Sequence, residues 1–213
     1  MNPLRRVVFL SALAAAVSFP PEGRADVGDC HSGIPCYLQS DYSLTPPTLG
    51  CQYRFTRFSG PDQPVFQFHL VDVFGAPMPD WIVELEVVAA DGSVACQCAG
   101  MPSAVSDAGG NGEIPLGFVG GKGEFDLVVH GTKVGTTEIY EIGYLFGFQF
   151  TSVDQNATCD PVEPFSTILD IGVWAQGMPP FPYVRTSDFN CDGTVNVIDF
   201  GSIGSGMSRG CTP

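Results

Sequence analysis

The sequence predicts a mainly β chain whose centre is a sandwich of short strands, and three observations predict it. Glycine (26) and proline (18) together make up about a fifth of the 213 residues, a frequency that suits tight turns and disfavours a helical bundle. From Pro64 onward, strand-length apolar runs alternate with turn residues, the signature of an all-β domain. Within Trp81–Val87, the residues Trp81, Val83, Leu85 and Val87 alternate with Ile82, Glu84 and Glu86, so one face is apolar and the other partly wet. A hydrophobic share of 44% with 11% aromatics can bury a core at this length and separates the chain from a disordered acidic tail.

Residues 1–25 read as a secretory signal peptide. Arg5 and Arg6 precede the apolar run Val7–Phe19, and Gly23-Arg24-Ala25 places small residues where a signal peptidase cuts. A buried N-terminal helix is the alternative, and it leaves the order of basic, apolar and small residues unexplained. Cleavage after Ala25 removes three Arg and one Glu, leaving 6 basic against 22 acidic residues and moving the charge from −14 to −16. The apolar run is too short to span a bilayer and no later stretch is long enough, so the mature chain is expected to be secreted or at the cell surface with no transmembrane segment. Acidity disfavours nucleic acid and anionic membranes, which demand clustered basic residues, and Lys122 and Lys133 are the only lysines. Cations are the natural counterpart.

Residues 26–61 form a Pro-, Ser- and Cys-rich lead-in with one strand candidate, Gln52–Phe58. All eight cysteines (Cys30, Cys36, Cys51, Cys96, Cys98, Cys159, Cys191 and Cys211) follow the signal, and an even count in an oxidising compartment implies up to four disulfides. Proximity alone suggests Cys191 with Cys211 and one pair among Cys30, Cys36 and Cys51. Cys96-Gln97-Cys98 also raises zinc, but a single such pair lacks a second at metal spacing.

Residues 62–157 carry the strands: Val65–Val73, Trp81–Ala89, Gly112–Phe118, Glu124–His130, Thr137–Tyr144 and Leu145–Val153. Turns are expected at Phe74-Gly75-Ala76-Pro77, Ala90-Asp91-Gly92, Gly109-Gly110-Asn111-Gly112 and Gly120-Gly121-Lys122-Gly123. The segment Leu70 to Leu85, containing Asp72-Val-Phe-Gly75-Ala-Pro77, is followed by Ser106-Asp107-Ala-Gly-Gly110-Asn and then by Gly121-Lys-Gly-Glu-Phe-Asp-Leu. Over residues 62–155 this succession resembles the bacterial immunoglobulin-like domains of surface and secreted proteins. The resemblance implies a β-sandwich spacer or display module with no catalytic residues.

Residues 158–213 hold the sharpest signal, Asp188-Phe-Asn190-Cys-Asp192-Gly193-Thr194-Val-Asn196-Val-Ile-Asp199. It fits the twelve-residue calcium loop, with oxygen ligands at alternating positions, Gly at the sixth and a carboxylate at the twelfth. Asp188, Asn190 and Asp192 are expected to bind Ca2+ directly, Thr194 through its carbonyl, Asn196 directly or through water, and Asp199 through both oxygens, while Val195 faces the core. An Asx/Gly-rich surface turn is the bland alternative. With Asp at the twelfth position and no ordinary helical stretch ahead of it, the loop resembles a type I dockerin repeat. Sliding the sequence by 29 residues pairs Leu169-Asp170-Ile171-Gly172 with Ile198-Asp199-Phe200-Gly201, and Gly177-Met178 with Gly206-Met207. Residues 160–211 thus resemble a divergent dockerin pair, a small α-helical module with one intact loop. At that offset the first loop holds Cys159, Pro161 and Glu163, so it is expected to have lost calcium and kept its helix. The two positions that help choose a cohesin partner in dockerins are Val197 and Ile198, split evenly between partner surface and core.

Catalytic constellations are absent. His31, His69 and His130 form no metalloprotease or zinc pattern, and no nucleophile elbow, P-loop or dinucleotide fingerprint occurs. Glu84 and Glu86 share a strand face where solvent explains them, whereas a glycosidase sets two carboxylates across a cleft. Asn156-Ala-Thr158 is a glycosylation sequon, expected to be incidental because the family resemblance implies a bacterial chain. The expected function is non-enzymatic: a secreted or surface protein whose calcium-stabilised dockerin-like end gives structural integrity or docks to a cohesin-like or other extracellular protein. The alternative is an accessory, carbohydrate-contacting subunit of an extracellular polysaccharide-degrading complex, for which Trp81, Trp174 and Tyr183 are too scattered to form a platform.

Overall fold

The computed structural model describes residues 30, 32–47, 51–55, 64–90, 94–97, 101–158, 166–205 and 207. The expected signal sequence at 1–25, the expected Asp91-Gly92 turn, the end of the 52–58 strand candidate, and Cys98, Cys159, Cys211, Pro161 and Glu163 lie outside them. Among the described residues the chain is mainly β. In chain order the elements are β1 (Asp41–Leu44), β2 (Tyr53–Phe55), β3 (Val65–His69), β4 (Trp81–Ala89), β5 (Val94–Gln97), β6 (Ser103–Val105), β7 (Asn111–Pro115), β8 (Val119–Lys133), β9 (Tyr140–Ser152), α1 (Ile168–Ala175) and α2 (Val197–Ser205). No helix among the described residues is long and apolar enough to cross a membrane.

Two sheets form. One runs β1-β3-β7, antiparallel throughout. The other runs β2-β9-β8-β4-β6, with β5 on the far end of β8 and β2 parallel to β9. The alternation in β4 is realised: Trp81, Val83 and Leu85 are buried, and Ile82, Glu84 and Glu86 lie on the wetter face. Both sheets feed one apolar cluster, in which Phe66, Phe68 and Ile114 of the smaller sheet join Trp81, Leu85, Phe125, Leu127 and Phe150 of the larger. Each such side chain stabilises the fold by about 1.5–3 kcal/mol when fully buried. Edge-to-face contact adds to this, as between Phe125 and Phe150, with centroids 4.9 Å apart and planes at 89°. Trp174, Phe189, Val195 and Ile203 belong to the same cluster, so the helical end shares the core of the strands.

The turns explain the spacing of Asp and Gly. Asp72 Oδ1 accepts from the N–H groups of Phe74 and Ala76, both at 2.8 Å, and Asp107 Oδ1 accepts from those of Gly109 and Asn111, again at 2.8 Å. The third residue after each Asp, Gly75 and Gly110, has φ 78°, a left-handed conformation that glycine adopts freely. The N–H groups of Asn111 and Gly109 hold the Asp107 carboxyl below the usual carboxylate range.

Three expectations are corrected. The two candidates Thr137–Tyr144 and Leu145–Val153 merge into one strand, β9 (Tyr140–Ser152), because no turn separates them; its pairing with β8 is instead irregular near Phe125/Leu127, where Asp126 Oδ1 accepts from Gly147 N–H. Gly120–Gly123 is not a turn but the start of β8, paired with β5 on one side and β9 on the other. Cys191 pairs with Cys51 rather than Cys211, across 140 residues, while Cys30–Cys36 is the local pair expected in the lead-in. Proximity in sequence misleads at Cys191 because the chain returns there to lie along β2. Cys96 is also disulfide-bonded, to a partner outside the described residues, in keeping with disulfides over zinc.

The sheets are pinned where Tyr42 of β1 donates its hydroxyl to the Ile142 carbonyl of β9 at 2.6 Å. The ring lies so close to Gly143 that a Cβ there sits 2.9 Å from it. Gly143→Ala is therefore expected to cost about 1–3 kcal/mol by overpacking, read as a lower urea midpoint. An unchanged midpoint would show that the ring can move.

Candidate metal centre

The loop from Asp188 to Asp199 is placed by β2. Gln52 Nε2 donates to the carbonyls of Asp188 (2.8 Å) and Arg185 (3.1 Å), and Arg54 Nη1 donates to that of Phe189 (3.1 Å). Thr151 of β9 donates to the carbonyl of Thr186, and the Cys51–Cys191 disulfide closes the same junction. Phe189 is wholly buried and Val195, expected to face the core, is 4% exposed. Two apolar side chains thus root a polar loop in the interior, and Gly193 makes its turn at φ 87°.

The carboxylates at the two ends of the loop are buried, each 1% exposed. Asp188 accepts from the N–H groups of Asp192 (3.2 Å) and Gly193 (2.9 Å) and from the Tyr183 hydroxyl (2.8 Å). Asp199 accepts from the N–H groups of Phe189 (2.8 Å), Asn190 (3.1 Å) and Asn196 (2.9 Å). Burial, and then the hydrogen bond to Asp188, push the Tyr183 phenol up. The structure therefore wraps the loop backbone around Asp188 and Asp199. Asp192 stays at the solvent side, taking hydrogen bonds from Thr194 Oγ1 (2.6 Å), Thr194 N–H (2.9 Å) and Asn190 Nδ2 (2.9 Å). The Thr194 hydroxyl foremost, then the Asn190 amide, hold its carboxyl below the usual range. Asn196 Oδ1 accepts from Ile198 N–H at 2.8 Å and caps α2, and Thr194 Oγ1 accepts from Asn196 Nδ2.

No group of three or more His, Cys, Asp or Glu side chains among the described residues is drawn together as a metal cage. The fit to a hard cation rests on a different observation. Neither Asp188 nor Asp199 makes an ion pair with Lys or Arg among the described residues, and the two buried carboxylates stand at the two ends of one loop. A divalent cation with oxygen preference is the group that suits them.

The helices repeat as the spacing predicts: α1 and α2 begin 29 residues apart, at Ile168 and Val197. Trp174 and Ile203, equivalent at that offset, are both buried. Val197 and Ile198, divided between core and partner surface on sequence grounds, are 74% and 64% exposed, and their equivalents Ile168 and Leu169 are 80% and 65% exposed. Gln52 and Arg54 escaped sequence reasoning, since nothing in their local pattern marks residues that clamp a loop more than a hundred positions away, and Tyr183, five residues before Asp188, was weighed only as a surface aromatic. No family model, no curated protein and no solved structure matches the chain.

Proposed function

We propose that the chain is a non-enzymatic, exported protein in which an immunoglobulin-like sandwich carries a dockerin-like calcium module at its C-terminal end. The single observation behind this reading is the Asp188–Asp199 loop, with buried carboxylates at both ends and α2 starting directly from it. Asp188, Asn190, Asp192, Asn196 and Asp199 would hold Ca2+ with side-chain oxygens and Thr194 with its carbonyl; the ion would supply positive charge where neither end carboxylate has a Lys or Arg ion-pair partner among the described residues. Two sheets over a shared core support the sandwich, and disulfides are consistent with an extracellular setting.

Docking to another extracellular protein, of cohesin type, is part of the same reading. The apolar pair on the first turn of each helix faces solvent, where core packing does not explain it. The accessory role in a polysaccharide-degrading complex draws on that docking surface alone, because Trp81 and Trp174 are core residues and offer no sugar platform. Calorimetric titration with calcium chloride of wild type and Asp192→Ala tests the metal assignment: heat from the wild type that this variant loses is expected. Wild type without heat above background would end it.

A further inference from the structure

The smaller sheet turns one face to the core and the other outward, and the outward face is polar at every position of two adjacent rows. Asp41 of β1, His69 of β3 and Asn111 of β7 are cross-strand partners, and so are Ser43, Gln67 and Glu113 two residues along. Opposite residues of an antiparallel pair share a face. Between them in sequence, Tyr42, Phe68 and Ile114 pack toward the apolar cluster. Asp107 joins the outward set from the turn before β7, and these side chains line a groove of about 690 Å³. Small-molecule sites occupy roughly 300–1,000 Å³, so the groove has room for a ligand of that size.

Donors and acceptors alternate along its lining. Gln67 Nε2 donates to Glu113 Oε1 (2.8 Å), Asn111 Nδ2 donates to Asp107 Oδ1 (3.3 Å), and His69 Nδ1 lies 4.0 Å from Asp41 Oδ2. Asp107 is fixed in place, because the same Oδ1 accepts from the N–H groups of Gly109 and Asn111. Each carboxylate keeps a second oxygen and each amide a second N–H, so a donor and an acceptor stand side by side toward the groove. A hydroxyl both donates and accepts, and two hydroxyls on adjacent carbons match such a pair. An ammonium or guanidinium group only donates, which leaves the N–H groups of Gln67 and Asn111 unmatched. An anion is repelled by Asp41, Asp107 and Glu113, and no Lys or Arg lines the groove among the described residues. No group of three or more His, Asp or Glu side chains among the described residues draws close enough to hold a metal ion. An apolar ligand finds no apolar side chain in either row. The lining therefore fits a neutral molecule rich in hydroxyls.

We propose that the outward face of β1-β3-β7 binds a neutral saccharide, with the Gln67–Glu113 and Asn111–Asp107 pairs each taking neighbouring hydroxyls and His69 a further one. The two rows lie about 7 Å apart along the strands, so a chain of linked sugar rings can reach both. Tyr42 and Phe68 are turned to the core, so the sugar is held by its hydroxyls rather than by stacking on an aromatic ring. The groove deepens the carbohydrate-contacting alternative and needs neither metal nor docking at the C-terminal end. The full chain is titrated calorimetrically with cellohexaose, xylohexaose and mannohexaose, in calcium chloride and again in chelator, with trigalacturonic acid as the charged counterpart. At least one neutral oligosaccharide is expected to bind equally in both buffers, and the acid at least tenfold more weakly. Gln67→Ala and Glu113→Ala, at exposed positions, are each expected to weaken that binding at least tenfold at an unchanged melting temperature. Glu84→Ala, on the outer face of the larger sheet, should leave it as it is. Binding by none of the three neutral probes, tighter binding of the acid, or affinity that survives both groove substitutions overturns the site. Binding that requires calcium overturns it as well, whereas a chain that binds a neutral probe and no calcium keeps the groove and loses only the metal assignment.

Discussion

Replacing both Cys51 and Cys191 by Ala is expected to lower the unfolding free energy by about 2–5 kcal/mol. The bond closes a loop of 140 residues, and the conformational entropy that a cross-link removes from the unfolded chain rises slowly with loop length, so this pair lies toward the upper part of that range. Cys30–Cys36 spans six residues and is expected to contribute less. The long bond also does something local. It fixes the Asp188–Asp199 loop to β2 beside the hydrogen bonds from Gln52 and Arg54, so the double variant is expected to expose this junction first. Hydrogen exchange at Phe189–Val195 should quicken before that of β4 and β8. Uniform acceleration across the chain would mean that the bond acts only through the unfolded state.

What could be read in advance was local. The strict alternation of β4 and the Asp-x-x-Gly turns at Asp72 and Asp107 are set by residues within a few positions of one another, and the structure realises them as read. The 29-residue spacing of the helices was legible for the same reason, each start being fixed by an Asp that accepts from the N–H three residues before it. What depended on partners across the fold was not. Gly120–Gly123 has turn composition, yet β5 and β9 satisfy its backbone on both sides and make it strand. β1 offers only Tyr42 and Leu44 as apolar residues in four positions, too short a pattern to stand out, and it forms because β3 presents a free edge. The hydrogen bonds that Asp154 and Asp170 accept ahead of α1 were not legible either, because Asp154-x-Asn156 lies 34 residues before Asp188-x-Asn190 whereas the helices are 29 apart.

Asp199→Ala is expected to cost about 3 kcal/mol or more, because it strips the acceptor from three N–H groups, those of Phe189, Asn190 and Asn196, each about 1–3 kcal/mol when left buried and unpaired. The residue is 1% exposed, so water enters only if the loop opens. Asp199→Asn separates the two tasks assigned to this side chain. It keeps an oxygen that can still accept from Phe189 or Asn190, so part of the loop's shape survives, but it removes the charge that would meet a cation. The melting temperature of wild type is expected to rise with calcium and fall with chelator, since an ion that binds only the folded chain stabilises it by about 2.7 kcal/mol at a hundred times its dissociation constant. For Asp199→Asn that calcium-dependent shift should shrink sharply while a folded state persists. Asp107→Asn, in the β6–β7 turn, destabilises through its own turn and should keep the full calcium response. Equal responses in all three proteins would show that Asp199 is a structural cap for α2 and nothing more.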